Sequence, residues 1–339
     1  GGQFVLGEDV AAFERGLAAV CGTKYAIGLN SGTDALILAL RVLGVGPGDE
    51  VITATNSFVA SASAVALVGA KPVLVDVRDD YNMDPAAVAK AVNARTKAIM
   101  PVHLTGNPAD MDPLREIAKK HKLFIVEDSA QAIMAEYKGR PTGSLGDIGC
   151  FSLHPLKTLN ACGDGGAMTT DDPELDKKSR LLRNIGLKTR EECVIWSGNS
   201  RLDTMQAAIL LVKLKHLAAW TQARRQNAHF YDEHLGAVAG LKIPQVGPGA
   251  KPAYHTYIVR VQRREALREH LKSAGIDTAI HYPIPIHLQP IGMSLGYKKG
   301  DFPMAERQAQ EILSLPVYQE LTQDDIGYIV EKIKEFYSK

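Results

Sequence analysis

Lys157 is the side chain in this sequence whose surroundings best suit covalent chemistry. It follows an apolar run that reads as a strand, and it precedes the glycine-rich segment Gly163-Asp164-Gly165-Gly166. An amine in such a setting is partly removed from water, which lowers its pKa and leaves it able to attack a carbonyl carbon. Most lysines are solvated surface charges, so the meaning of Lys157 depends on what lies around it.

Three further segments carry groups that complement an amine. Asp128 follows a predicted strand, and Ser152 lies on the strand before Lys157. Asn30-Ser31-Gly32-Thr33-Asp34 opens a helical pattern, where N–H groups, hydroxyls and the helix dipole suit a phosphate. Each also has an ordinary interpretation: a strand-end acid, a core hydroxyl and a helix cap. Together, a phosphate cradle, an acid, a hydroxyl and a lysine are the parts needed to hold pyridoxal 5′-phosphate (PLP).

The elements that must position these groups can be read from the pattern up to about residue 170. Short β-rich runs alternate with helical patterns, which is typical of βαβ units and a mainly parallel sheet. In such a sheet, ligands bind outside the carboxyl ends of the strands, so we expect the groups to meet there. The predicted strands are 50–54, 73–76, 97–103, 123–127, 149–153 and 166–170, with predicted helices at 34–43 and 113–121.

The second half of the chain has a different organisation. The pattern from 203 to about 234 is continuously helical, which predicts one long connecting helix. The segment 244–249 then breaks the pattern, and a strand at 256–262 and helices at 265–274 and 324–336 follow. The length of 339 residues suits two domains. We predict a large PLP-binding domain over residues 1–235 and a small C-terminal domain over residues 236–339.

Composition excludes several classes of protein. With 45% hydrophobic and 23% charged residues, the chain is typical of a globular protein rather than a disordered one. Its net charge of +1 gives no broad basic face for nucleic acid or an anionic membrane. No apolar stretch reaches the roughly 20 residues of a membrane-spanning helix. Four widely spaced cysteines without a CxxC pair indicate a reduced, cytoplasmic protein without a metal site.

Beyond these single features, the sequence resembles the DegT/DnrJ-type sugar aminotransferases, a family of fold-type I PLP enzymes. That resemblance implies an α/β fold, with a large domain on a mostly parallel seven-stranded sheet flanked by helices and a smaller C-terminal α/β domain. The motifs that carry it are Asn30-Ser31-Gly32-Thr33-Asp34-Ala35-Leu36, the segment 48–60, Glu127-Asp128-Ser129-Ala130-Gln131, Phe151-Ser152-Leu153-His154-Pro155-Leu156-Lys157, the segment 163–166 and the segment 199–208.

The same resemblance implies a role for each matching residue. Lys157 would form the Schiff base with PLP and then move the proton between substrate and cofactor, while Asp128 would pair with the pyridine nitrogen. The other matching residues would contact the cofactor or the substrate: Gly32, Thr33 and Ser152 at the phosphate, Gln131 near the phenolic oxygen, Phe58 stacked on the ring, Asn199 reaching the phosphate from a neighbouring subunit, and Arg201 and His287 near the substrate. A homodimer with shared active sites is therefore implied.

The implied reaction moves an amino group from L-glutamate onto a keto or aldehydo sugar, usually nucleotide-linked, in amino-sugar biosynthesis. Relatives that carry histidine in place of the lysine are sugar dehydratases, and Lys157 argues against that alternative. Asp164 in the segment 163–166 favours amination at C-2 or C-3 over C-4. Leu153 and the segment 160–162 depart from the family pattern, so the sequence does not identify the sugar.

Other functions remain as alternatives at this stage. The acceptor could instead be a free inosose or an ulosonate aldehyde, and a catalytically silent sensor could keep the same fold. A nicotinamide-binding Rossmann protein is disfavoured because no GxGxxG motif follows an early strand.

Overall fold

A computed structural model describes residues 2–338 of the chain. The helices in this range are α1 (Glu8–Cys21), α2 (Gly32–Val42), α3 (Ala60–Leu67), α4 (Pro85–Ala91), α5 (Met111–His121), α6 (Pro173–Arg183), α7 (Thr204–Leu214), α8 (Leu217–Leu235), α9 (Arg264–Ser273), α10 (Pro290–Ser294), α11 (Pro303–Glu311) and α12 (Gln323–Ser338). Short 3₁₀ turns lie at Leu104–Gly106 and Ile286–Leu288.

The strands of the described range form three sheets. They are β1 (Tyr25–Leu29), β2 (Glu50–Ala54), β3 (Lys71–Val75), β4 (Thr96–Met100), β5 (Phe124–Asp128), β6 (Glu136–Tyr137), β7 (Arg140–Pro141), β8 (Ile148–Ser152), β9 (Gly166–Thr170), β10 (Leu241–Lys242), β11 (Ala250–Lys251), β12 (Tyr257–Val261) and β13 (Ile312–Leu315).

The large sheet has seven strands in the order β1-β9-β8-β5-β4-β2-β3. Only β9 among them runs antiparallel to its neighbours, and the pairs from β8 to β3 are all parallel. The predicted α/β fold with a mostly parallel seven-stranded sheet is therefore confirmed. Because β1, β2, β4, β5 and β8 point the same way, the segments that follow them meet at one edge of the sheet.

Both faces of this sheet are covered by helices, which explains why its central strands read as continuous apolar runs. Successive side chains of a strand point to opposite faces, so neighbours along one strand enter different cores. Helix α2 packs on one face and α5 on the other. Val51, Met100 and Val126 lie in the core with α2, whereas Ile52, Ile99 and Ile125 lie in the core with α5.

The prediction of one long helix from 203 to 234 is wrong, because α7 ends at Leu214 and α8 begins at Leu217. Helix α7 packs against α1, with Leu210 in the core beside that helix. Helix α8 instead sends Tyr231 and Leu235 into the core of the C-terminal sheet β10-β12-β13. Helices α7 and α8 thus pack into different cores. No glycine or proline at residues 214–217 marks the break between them in the sequence.

The C-terminal core is separate from the large one and is built from β10, β12 and β13 with α8, α9 and α12. Its members include Ala228 and Tyr231, so the second half of α8 already belongs to it. The predicted boundary between residues 235 and 236 falls at the end of this helix. The division into these two domains stays a prediction.

Candidate active site

A cavity of about 330 Å³ opens at the carboxyl edge of the large sheet. Its position is the one expected for a ligand site in an open α/β sheet. Most of the residues predicted from the sequence line this cavity, namely Gly32, Thr33, Phe58, Asp128, Gln131, Ser152 and Lys157. The structure therefore brings together residues that lie up to 125 positions apart in the chain, since Gly32 and Lys157 share one wall.

One end of the cavity is the N-terminus of α2. Ser31 caps the helix by accepting a hydrogen bond from the N–H of Asp34 at 3.0 Å. Gly32 and Thr33, in the first turn, line the cavity, and first-turn N–H groups have no partner within their own helix. Such a terminus attracts a phosphate through these N–H groups and the helix dipole.

Close packing makes glycine necessary in this cradle. A Cβ atom at Gly32 would lie 2.6 Å from the Cβ of Ser152, and one at Gly166 would lie 2.1 Å from the carbonyl oxygen of Ser31. The helix terminus thus approaches β8 and β9 at backbone distance. The glycine-rich segment before β9 allows this approach, and the hydroxyl of Ser152 is thereby placed at the wall of the phosphate cradle.

Asp128 is fixed at the end of β5 on both its backbone and its side chain. Its N–H donates to the carbonyl of Pro101 at 2.8 Å, and its carbonyl accepts from the N–H of His103 at 3.1 Å. Its carboxylate accepts from the hydroxyl of Ser61 at 2.7 Å and from the N–H of Ala130 at 3.2 Å. A buried carboxylate with these donors is held in one orientation at the cavity wall.

Lys157 lies in the loop after β8, and its pKa is lowered by burial, an effect that the nearby Asp128 carboxylate opposes. The loop is tied down by hydrogen bonds: Asn160 Nδ2 donates to the carbonyl of Lys157 at 2.8 Å, and Lys213 of α7 holds Asn160. Asn160 is one of the departures from the family pattern, and here it anchors the lysine turn. Leu153, the other departure, is buried in the core beside α1.

Gln131 is oriented by a strained turn. Its Oε1 accepts from the N–H of Thr105 at 2.7 Å, so its Nε2 must donate, and it does so to the hydroxyl of Tyr282 at 3.3 Å. Thr105 has φ of 64°, an unfavourable conformation for a β-branched residue. The ring of Tyr282 lies 5.6 Å from that of Phe58, so two aromatic rings face the cavity together.

The cavity residues that were not assigned a role from the sequence include His255, His281 and Tyr282. Burial and the charge of Lys157 lower the pKa of both histidines, which favours their neutral forms. His281 Nδ1 is hydrogen-bonded to the hydroxyl of Ser314 at 2.8 Å. Nothing local in the sequence distinguished His255, which the packing of the C-terminal core brings to the site.

Three predicted residues lie outside the cavity. Asn199 and Arg201 are in the segment before α7, where Arg201 donates to Asn184 Oδ1 at 2.9 Å. His287 is fully buried, with Nδ1 bonded to the hydroxyl of Thr55 at 2.8 Å and Nε2 to Glu306 at 3.0 Å. The structure gives His287 a packing role, and its predicted contact with substrate has no support in this placement.

The donor set fits PLP at both ends. The α2 terminus with Ser152 suits a phosphate, and the fixed carboxylate of Asp128 suits a protonated ring nitrogen. Between them, an amine with a lowered pKa can attack an aldehyde. Because Gly32 has no Cβ, the α2 terminus can approach Ser152 closely, and the two parts of the phosphate cradle stand side by side.

Comparisons with known proteins agree with this chemistry. The model of the DegT/DnrJ/EryC1/StrS aminotransferase family matches residues 1–334. The chain belongs to this family. When bound, PLP supplies the aldehyde that takes up an amino group and the ring that withdraws electrons from the substrate carbon. The protein is thus a PLP-dependent aminotransferase, as the sequence motifs predicted.

Relatives within the family match almost the whole chain. A pleiotropic regulatory protein of Geobacillus stearothermophilus is 46% identical over 99% of this chain and 91% of its own. The dTDP-3-amino-3,4,6-trideoxy-alpha-D-glucose transaminase of Streptomyces venezuelae is 44% identical, and the match covers 99% of this chain and 89% of the relative. The UDP-N-acetyl-3-dehydro-alpha-D-glucosamine 3-aminotransferase of Acidithiobacillus ferrooxidans is 45% identical, covering 98% and 89%.

Solved structures share the same fold. DesV of S. venezuelae, in complex with a ketimine intermediate, has a TM-score of 0.98 at 44% identity, over 100% of this chain and 91% of that one. NtdA of Bacillus subtilis, with bound cofactor PMP, has a TM-score of 0.93 at 30% identity, over 100% and 79%. PMP is the amine form of PLP.

Within residues 2–338, no three or more His, Cys, Asp or Glu side chains are grouped so that they could hold a metal ion. In the same range, no helix is both long and apolar enough to cross a membrane.

Proposed function

We propose that this aminotransferase moves an amino group from L-glutamate onto C-3 of a 3-oxo sugar carried on a nucleoside diphosphate, in the biosynthesis of an amino sugar. The observation that carries the proposal is the cavity itself, where an amine with a lowered pKa, a fixed carboxylate and a phosphate cradle converge. The names of the S. venezuelae and A. ferrooxidans relatives both specify an amino group at C-3, and these relatives support the ring position.

The residues of this chain would divide the work as follows. The amine of Lys157, whose pKa is lowered, would accept a proton from the substrate carbon and then donate it to the cofactor. Asp128 stays fixed at the ring nitrogen. Phe58 and Tyr282 pack as aromatic walls. Burial and the charge of Lys157 lower the pKa of His255 and of His281, which favours the neutral imidazoles beside the lysine.

We further propose a homodimer whose active sites are shared. Asn199 and Arg201 lie outside the cavity of their own chain, and Asn199 is exposed, so it can reach a neighbouring chain. Large apolar side chains are exposed around this segment, with Trp196 89% and Met205 73% exposed. Exposed apolar surface of this kind marks an interaction site, and a second copy of the chain would cover it.

The cytoplasm is the proposed location, and the four cysteines support it. Cys21, Cys150, Cys162 and Cys193 are all free in the structure. Free thiols of this number are typical of a reducing compartment.

A direct test supplies the purified protein with L-glutamate and a panel of nucleotide-linked keto sugars that differ in the position of the oxo group. The proposal expects 2-oxoglutarate to form with 3-oxo sugars and much more slowly with 4-oxo sugars. Equal rates with 4-oxo sugars, or turnover only with free keto sugars, would overturn the proposed acceptor. Omission of the amino donor is the control for sugar breakdown.

A regulatory protein without catalysis is the second candidate, because the name of the G. stearothermophilus relative describes a regulatory role. The cavity of the present chain argues against the loss of catalysis, since its lysine, carboxylate and cradle are all in place. A chain that binds PLP but produces no 2-oxoglutarate with any sugar would favour this second candidate.

A further inference from the structure

Two buried serines, Ser57 and Ser61, form a chain of hydrogen bonds that ends at the Asp128 carboxylate. The hydroxyl of Ser61, in the first turn of α3, is 2.7 Å from Asp128 Oδ2, and the hydroxyl of Ser57 is 2.8 Å from that of Ser61. Ser61 is fully buried and Ser57 is almost so. Ser57 lines the cavity, but Ser61 does not, so Ser61 has no direct access to a ligand there.

The order of the hydrogens along this chain follows from chemistry. A carboxylate only accepts, so the single proton of Ser61 is donated to Asp128. Ser57 must then donate its own proton to the oxygen of Ser61. Each link is polarised toward the carboxylate, and successive hydrogen bonds of this kind strengthen one another in a buried setting. We call Ser57 and Ser61 in this arrangement the serine relay.

The remaining contacts of Asp128 leave one direction open. Oδ2 accepts from Ser61, and Oδ1 accepts from the N–H of Ala130 at 3.2 Å, a long hydrogen bond. Both backbone groups of Asp128 are bonded to the segment after β4. These two hydrogen bonds therefore fix the carboxylate, and the part of it that they leave free lies at the cavity wall.

We propose that the serine relay is a positioning device for Asp128, which holds the carboxylate aimed at the ring nitrogen of PLP. The proposal rests on the PLP-dependent function proposed above. A hydroxyl that donates to a carboxylate oxygen limits the directions in which that carboxylate can turn. Without the Ser61 hydrogen bond, the Asp128 carboxylate could turn away from the ring nitrogen, which would then hold its proton less firmly.

The test compares the wild-type protein with Ser61→Ala, using PLP labelled with ¹⁵N in the ring and a fluorescence titration of PLP affinity. Loss of one hydrogen bond to a charged group corresponds to about a tenfold change in an equilibrium. We expect PLP affinity to fall about tenfold in Ser61→Ala. We also expect the ¹⁵N signal to move toward that of unprotonated pyridine, a change that a general loss of packing would not produce.

Matched variants separate the relay from other effects. Ser63→Ala alters a partly buried serine of the same helix and should leave both readouts unchanged. Ser61→Thr keeps the hydroxyl and should show the PLP affinity and the ¹⁵N signal of the wild-type protein. Ser61→Cys keeps the volume with a weaker donor and should give an intermediate result, which also serves if Ser61→Ala does not fold. In an Asp128→Ala background, Ser61→Ala should have no further effect.

The outcomes distinguish the relay from the proposed function. If the wild-type protein binds no PLP, the proposed function fails. If it binds PLP and Ser61→Ala behaves as Ser63→Ala does, the relay alone is wrong. An effect of Ser61→Ala that persists unchanged without the Asp128 carboxylate would also overturn the relay, because the serine would then act by another route.

Discussion

At the scale of single residues, the chemistry depends on how readily Lys157 becomes a free amine. Burial lowers its pKa, and Asp128 opposes the shift without cancelling it. A charged ammonium loses its hydration on burial, so the neutral form is favoured there. The neutral form is also the one that attacks an aldehyde, and the location of Lys157 thus prepares it for reaction with the cofactor.

The pH dependence of cofactor uptake follows from this shift. Only unprotonated Lys157 reacts with PLP, so the rate of uptake should rise as the pH passes upward through the pKa of this lysine. Because burial lowers that pKa, half-maximal rate is expected below the ordinary lysine value of 10.5. The growth of the yellow absorbance band after PLP is mixed with apoprotein at a series of pH values measures this. A midpoint at or above 10.5 would show that the amine is not desolvated.

The residues around Lys157 show how far sequence reasoning reaches at this scale. Asp128 and Ser152 were found because each lies at the end of a predicted strand, and Gln131 was found because the motif 127–131 resembles that of the family. His255 was missed because its own neighbours in the chain carry no signal, and only the packing of the C-terminal core brings it to the cavity. The role of Asn160 was missed too, since a hydrogen bond to the carbonyl of Lys157 leaves no trace in residue spacing.

At the scale of elements, the site depends on the close contact of α2 with β8 and β9. The contact is possible because Gly32 and Gly166 have no side chains. Predicted strands such as β2 and β9 match the structure because their apolar runs are bounded by turn residues. Strand β1 was missed because its five residues include a glycine and form only a short apolar run, and its place is set by pairing with β9.

Substitution of Gly32 tests this contact. In Gly32→Ala, the new Cβ would meet Ser152 at 2.6 Å, so the helix terminus must move away from β8. We expect stability to fall by about 1–3 kcal/mol, the usual cost of overpacking, and PLP affinity to fall as the phosphate cradle opens. Urea unfolding and a PLP titration measure the two effects.

Gly327→Ala in α12 is the matched control for that substitution. A Cβ there meets no atom within 4 Å, so the change should stabilise the helix by about 0.5–1 kcal/mol and leave PLP affinity unchanged. Destabilisation of equal size in both variants would contradict a special role for the contact at Gly32.

At the scale of the whole molecule, the separate cores of the two halves place the active site between them. The cavity is lined by Lys157 from the large sheet and by His255, His281 and Tyr282 from the part of the chain after α8. A break such as 244–249 indicates that the chain forms more than one core, but it shows neither where each core begins nor how the cores pack on each other. How two chains assemble is still harder to predict, because a single sequence does not show which part of the surface a second chain covers.

Asn199→Ala tests the proposed sharing of sites between subunits. Since Asn199 lies outside the cavity of its own chain, its loss can weaken PLP binding only through a neighbouring chain or through the local fold. We expect faster loss of PLP on dialysis with the dimer intact, as followed by absorbance and analytical ultracentrifugation. Asn184→Ala, which removes the nearby partner of Arg201, controls for local unfolding. A wild-type monomer that retains PLP fully would contradict the shared site.

The account stands on Lys157 acting as the amine of a PLP-dependent aminotransferase, and one spectrum tests this most directly. The absorbance of the PLP-loaded protein is recorded before and after addition of L-glutamate, with Lys157→Ala as the matched variant. We predict that the visible band of lysine-bound PLP in the wild-type protein gives way to the near-ultraviolet band of PMP, and that Lys157→Ala shows neither the first band nor the conversion. A wild-type band that glutamate leaves unchanged, or a conversion that survives in Lys157→Ala, would contradict the account.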